Sequence, residues 1–236
     1  MAEHRIYPHA PFEALAPGVW RVKGGLPFPL TRNMIVIRLA GGELLLHSVV
    51  ALDDAGMKAL EALGHPAYAI VPSAAHKMDS PFYKARYPAI AMLAPAAIRD
   101  RAASNVAITG TVEEILPRLN ITMHAVPATR THEYVYEVPM PAGGRMLMFN
   151  DVLGNIGAGA PGFVGRNIMP YVTVPRGGPA VPRIYRWTQV QDVAAVRRFI
   201  GSLADIPDLR LATVSHGDPV MSDVAAKLRS VAGLTA

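Results

Sequence analysis

Residues 209–218 read Leu-Arg-Leu-Ala-Thr-Val-Ser-His-Gly-Asp: a β-rich apolar run that ends on a hydroxyl, an imidazole, a glycine and a carboxylate. The same arrangement recurs three times upstream. Leu44, Leu45 and Leu46 lead to His47; Ala69, Ile70 and Val71 lead to a loop holding His76 and Asp79; residues 146–149 lead to Asn150 and Asp151. In layered α/β folds ligands gather at the carboxyl ends of strands, where loops converge over a rigid sheet edge. Four strands ending this way predict one shared site. Its donors are imidazoles and carboxylates, the set that zinc, iron and manganese accept, and a coordinated water can then serve as a nucleophile near neutral pH.

Around these strand ends the chain alternates. Residues 33–39 and 43–50 are two β-rich runs joined by Ala40, Gly41 and Gly42, which predicts a hairpin. Residues 53–63 carry Met57, Leu60 and Leu63 at helical spacing behind Asp53 and ahead of Gly64, as a capped helix would. Strand-like runs at 67–71 and 89–93 are followed by helical pieces at 82–86 and 95–101, a pattern that favours parallel strands. Runs at 121–126, 132–138 and 145–149, joined by short turns, predict an antiparallel meander. Residues 150–187 are rich in Gly and Pro and lack periodicity, so a long loop covering the site is expected. A helix at 190–203, a strand at 209–214 and a helix at 220–231 close the chain. No repeat and no linker appears, so residues 1–236 are read as one domain.

Composition narrows the function classes. With 236 residues, 51% hydrophobic and 17% charged, the chain is that of a globular protein. Its mean hydropathy of +0.23 reflects a core, because every apolar stretch stops well short of the ~20 residues a spanning helix needs. No membrane association is expected, and the polar first residues do not read as an export signal. The absence of cysteine excludes disulfides, thiolate metal sites and a cysteine nucleophile, and makes the cytoplasm the expected compartment. The net charge of +5 comes from dispersed arginines, which argues against nucleic acid as partner and for a small molecule. There is no phosphate loop and no GxSxG elbow.

Each candidate also has a plainer reading. His47, flanked by apolar residues, reads as a core histidine; Asp79, just before Ser80 and Pro81, reads as a helix N-cap; Asp151 could form an Asx-turn. His124 and His132 lie on the meander, where alternating exposure accounts for them, and His4, His9 and His65 read as surface histidines.

The order of these features resembles the metallo-β-lactamase superfamily, and more narrowly a degenerate branch of it. The resemblance is carried by Pro17, Gly18, Val19 and Trp20 and by residues 33–46, 71–88, 149–155 and 214–220. It implies an α/β, four-layer αββα sandwich with the metal site at one edge. The family's HxHxDH signature would fall in residues 73–80, where His76 and Asp79 remain and Ala74 and Met78 occupy positions of expected ligands. The middle histidine would fall near Ala128 and Thr129, with His132 as its one replacement; His47 stands where a strand-end aspartate is usual. Asp151 matches the bridging aspartate, and His216 with Gly217 the last ligand histidine.

The resemblance therefore implies a hydrolase with at most one divalent metal (zinc, iron or manganese) on His76, Asp151 and His216. Asp79 or His132 would orient or deprotonate water, and His47, Arg166 and Arg183 would line the substrate pocket. Its bond classes would be ester, lactone, amide or phosphoester. Equally open is a metal-free member, in which the same polar side chains hydrogen-bond one another and the protein binds or regulates. Substrate and oligomeric state are not encoded in any motif found.

Overall fold

The computed structural model describes residues 4–156, 162–174 and 177–233, and the chain divides into two compact units, Met1–Leu119 and Asn120–Ala236. The first unit contains a seven-stranded sheet in sequence order. Its strands are β1 (Glu13–Ala16), β2 (Val19–Gly25), β3 (Thr31–Arg38), β4 (Glu43–His47), β5 (His65–Ile70), β6 (Ala91–Ala94) and β7 (Gly110–Thr111). The first four pair antiparallel and the last four pair parallel. The predicted hairpin is β3–β4, with Arg38 opposite Leu44 and Ile35 opposite His47. Its turn closes through the Gly42 amide on the Leu39 carbonyl at 2.9 Å, with Gly42 at φ +84°.

Strands β3 and β4 are buried on both faces, which is why they read as continuous apolar runs instead of alternating ones. Four helices accompany this sheet: α1 (Asp54–Leu63), α2 (Ser80–Arg86), α3 (Arg99–Ala103) and α4 (Val112–Ile115). Helix α1 starts because the Asp53 carboxylate accepts the Gly56 amide at 2.7 Å, and it buries Met57 and Leu60 against sheet residues such as Leu44, Leu46 and Ala69. Two differences from the sequence reading stand out. The hairpin β1–β2, tied by Arg21 Nε donating to Glu13 at 2.9 Å, was not anticipated. Strand β4 also stops at His47 and not at residue 50, because Ser48 turns to φ +55° and its amide bonds the Ile70 carbonyl.

The second unit holds a four-stranded sheet of order β11-β10-β9-β8, made of β8 (Thr122–Ala125), β9 (Tyr134–Pro139), β10 (Arg145–Met148) and β11 (Leu209–Thr213). The predicted meander is β8–β9–β10, and β11 joins β10 in parallel. Among the described residues five α-helices complete it: α5 (Gly162–Asn167), α6 (Met169–Val172), α7 (Arg183–Thr188), α8 (Val193–Ser202) and α9 (Val224–Ala232). Val196 and Ile200 of α8 and Val224 and Leu228 of α9 share a core with Leu147 and Ala212 of the sheet. The expected loop over 150–187 contains α5, α6 and α7, each too short to show a 3.6-residue period. Helix α9 begins four residues later than expected because Val220 is bridged to Ala212 by hydrogen bonds of 2.9 and 2.8 Å. No helix among the described residues is long and apolar enough to cross a membrane.

Candidate metal centre

In the second unit β10 and β11 run parallel, so their carboxyl ends fall on the same sheet edge and deliver Asn150 and Asp151 beside Ser215 and His216. The edge is cross-linked. Phe149 N donates to Thr213 O at 2.9 Å, Ser215 Oγ to Asn150 Oδ1 at 2.8 Å, and Asn150 Nδ2 to Asp151 Oδ2 at 3.2 Å. His216 Nε2 then lies 3.4 Å from Asp151 Oδ1, both side chains being partly exposed.

The His216 turn is fixed from the other side by Asn155. Its amide donates to His216 O at 3.2 Å, its carbonyl accepts the Asp218 amide at 2.8 Å, and its Nδ2 donates to Asp218 O at 2.8 Å. Gly217 is required there: at φ +101°, a Cβ would sit 2.2 Å from the Asn155 carbonyl oxygen.

Behind Asp151 lies a buried carboxyl, Glu133, which the sequence reading did not single out. Val152 N donates to its Oε1 at 3.0 Å, and the Tyr185 hydroxyl donates to its Oε2 at 3.1 Å while sharing a 2.8 Å hydrogen bond with Thr131 Oγ1. Burial first, and the negative Asp151 second, push Glu133 up to about 8. The Tyr185 hydroxyl is pushed well above its ordinary value, chiefly by burial. The available sequence signal was an acidic residue immediately ahead of strand β9, between His132 and Tyr134.

In the first unit His76 is buried in the loop after β5. Its amide bonds the Ser73 carbonyl at 3.1 Å, and its Nδ1 shares a 2.8 Å hydrogen bond with the buried Ser48 Oγ. In the tautomer whose Nδ1–H donates to Ser48, Nε2 carries the lone pair that a metal ligand needs. Ser48 was not foreseen, since its role depends on the left-handed turn after β4.

Asp79 occupies the N-cap position of α2 but makes no capping bond. Its carboxylate accepts from the buried Arg32 guanidinium, from Ala51 N at 2.7 Å and from His4 Nε2 at 2.9 Å. His4, expected on the surface, thus joins a largely buried ion-pair group, and His124 likewise pairs with Glu137 at 2.8 Å.

Asp151 and His216 in the second unit, and His76 in the first, each offer an atom that could bind a metal ion. His132 is exposed at φ +51° and stands outside this group. His47 is 1% exposed at the end of β4, level with Ile35 and Ile70 in the neighbouring strands. Arg183 opens α7 and donates to the Tyr171 carbonyl at 3.1 Å. The Arg166 side chain lies outside the described residues.

No family model matches the chain, and no curated protein sequence matches it. Solved structures do. The mono-zinc form of the metallo-β-lactamase FIM-1 from Pseudomonas aeruginosa superposes with a TM-score of 0.60 at 14% identity, covering 97% of this chain and 96% of that one. The fold is that of the metallo-β-lactamases. A metallo-β-lactamase from Hirschia baltica (TM-score 0.57, 14% identity, 94% and 98% covered) and one from Erythrobacter litoralis (0.54, 15%, 94% and 90%) agree.

On this metallo-β-lactamase fold the chain carries a partial donor set. Two imidazoles and one carboxylate are the kinds of donor that suit a single divalent cation, three protein ligands being the number that leaves a coordination position open. Ala74 and Met78 supply no nitrogen or oxygen ligand, and the Asp79 carboxylate is engaged by three other partners. The donors present fit one ion.

Proposed function

We propose that the chain is a metal-dependent hydrolase with one divalent ion held by His76, Asp151 and His216. The observation that carries this reading is the meeting of Asp151 and His216 at the β10–β11 sheet edge, with His216 Nε2 3.4 Å from Asp151 Oδ1. A divalent ion in a three-ligand set supplies Lewis-acid polarisation and activation of water near neutral pH. The chain's own residues do the positioning. Ser48 fixes the His76 ring, Asn155 and Gly217 fix the backbone of His216, and Asn150 orients Asp151.

Asp79, whose carboxylate is filled by Arg32, Ala51 and His4, is assigned to anchoring the loop that carries His76, and His132 to accepting the proton. His47, Arg166 and Arg183 are the residues read as flanking the substrate. The substrate is read as a small molecule with an ester, lactone, amide or phosphoester bond, the compartment as the cytoplasm, and the chain as one domain; nucleic acid is not a partner in this reading. FIM-1 is described in a mono-zinc form, which agrees with a single ion on this fold.

A metal-free binding protein is the second reading, favoured by Ala74 and Met78 at expected ligand positions. Elemental analysis and hydrolysis assays on wild type and His216→Ala separate the two. The hydrolase reading expects about one metal per chain, with metal and turnover both lost in the variant. Metal content and hydrolysis unchanged by the substitution would overturn it, and no metal in protein purified without chelator would favour the second reading.

A further inference from the structure

The second unit contains a cavity of about 230 Å³ that none of the residues above needs for metal binding. Its polar lining is Arg183 and Arg186 from α7, Arg197 from α8 and Ser230 from α9, against an apolar wall that includes Val181 and Val231. No lining residue is acidic. Several arginines elsewhere have carboxylate partners, among them Arg21 with Glu13, Arg32 with Asp79, Arg145 with Glu137 and Arg229 with Asp205. Among the described residues no carboxylate pairs with Arg186 or Arg197. Arg186 Nε is moreover buried with no acceptor among the described residues.

A buried charged donor without an acceptor is among the costlier defects a fold can carry, and three guanidiniums around one small space repel one another. An anion with several acceptor oxygens relieves both. Guanidinium forks match the oxygens of a phosphate in paired, charge-assisted hydrogen bonds, and Ser230 adds a neutral donor. The volume is below the range of pockets that enclose drug-sized ligands, so it suits one anionic group more than a whole nucleotide.

We propose that this cavity is a binding site for a phosphate group, either inorganic phosphate or the phosphate end of a small metabolite. The proposal shares Arg183 with the residues read as flanking the substrate but does not rest on the metal ligands, since none of His76, Asp151 and His216 lines the cavity.

Calorimetric titration of the full chain with inorganic phosphate and with glycerol 3-phosphate, in chelator and at matched ionic strength, tests it. Saturable one-to-one binding is expected for at least one of them. Tighter binding of glycerol 3-phosphate identifies a phosphate-bearing metabolite as the source, and tighter phosphate the free ion. Arg197→Gln, at an exposed position that the fold does not need, is expected to weaken binding by about tenfold or more, and Arg186→Gln likewise. His216→Ala is expected to leave the affinity unchanged. Absence of saturable binding, affinity indifferent to Arg197→Gln, or acetate binding as tightly as phosphate would each overturn the proposal.

Discussion

Glu133 is the residue whose chemistry is most displaced from its ordinary state. Because its pKa is raised from 4.5 to about 8, the folded protein keeps a proton that the unfolded chain releases between those values. Stability is therefore fully present below pH 4.5 and falls as pH rises towards 8, by up to about 1.4 kcal/mol per pH unit. Urea unfolding of the metal-free protein at pH 5, 6, 7 and 8 should show this slope, and Glu133→Gln, which cannot ionise, should flatten it. A parallel slope in the variant would assign the pH dependence to other groups. Gly217 makes a second demand at this scale: Gly217→Ala must move the Asn155 backbone or abandon φ +101°, so a loss of about 1–3 kcal/mol is expected from thermal or denaturant unfolding. A cost within 0.5 kcal/mol would mean that the turn relaxes freely.

At the scale of elements, helix α1 shows how local and non-local causes divide. Its start is written in Asp53 and its apolar stripe in Met57 and Leu60, so both its place and its buried face were legible. What holds it is packing: Leu60, fully buried, touches no solvent, and Leu60→Ala should cost about 2–5 kcal/mol by denaturant midpoint, against about 1 kcal/mol for loss of the Asp53 cap in Asp53→Ala. Equal costs would show that the helix stands on its local signals. Helices α5 to α7 present the opposite case. None exceeds six residues, and they sit among prolines and glycines, so no periodic signal distinguished them from loop. The hairpin β1–β2 escaped for a related reason: its first strand has only four residues, two of them exposed, too few for an alternation to show.

At the scale of the whole molecule, the proposed ion links distant parts of the sequence. A cation bound only by the folded state stabilises it by RT ln(1 + [L]/Kd), about 2.7 kcal/mol at a hundredfold excess over Kd. Adding zinc to chelator-stripped protein should thus raise Tm by several degrees, with no rise in Asp151→Asn; an equal rise in both would point to ligands other than this group.

The sequence by itself determined the alternation of strands and helices, the meander, and the polar residues at strand ends, because these depend on periodicities and turn residues within a few positions of one another. The tertiary structure alone decided which of those polar groups meet. Asp151 and His216 meet at one sheet edge, Asp79 is consumed by Arg32 and the Ala51 amide, and Glu133 lies buried against the Val152 amide. Such outcomes depend on register, on the left-handed turn at Ser48 and on side-chain partners many residues away, and no local pattern along the chain encodes them.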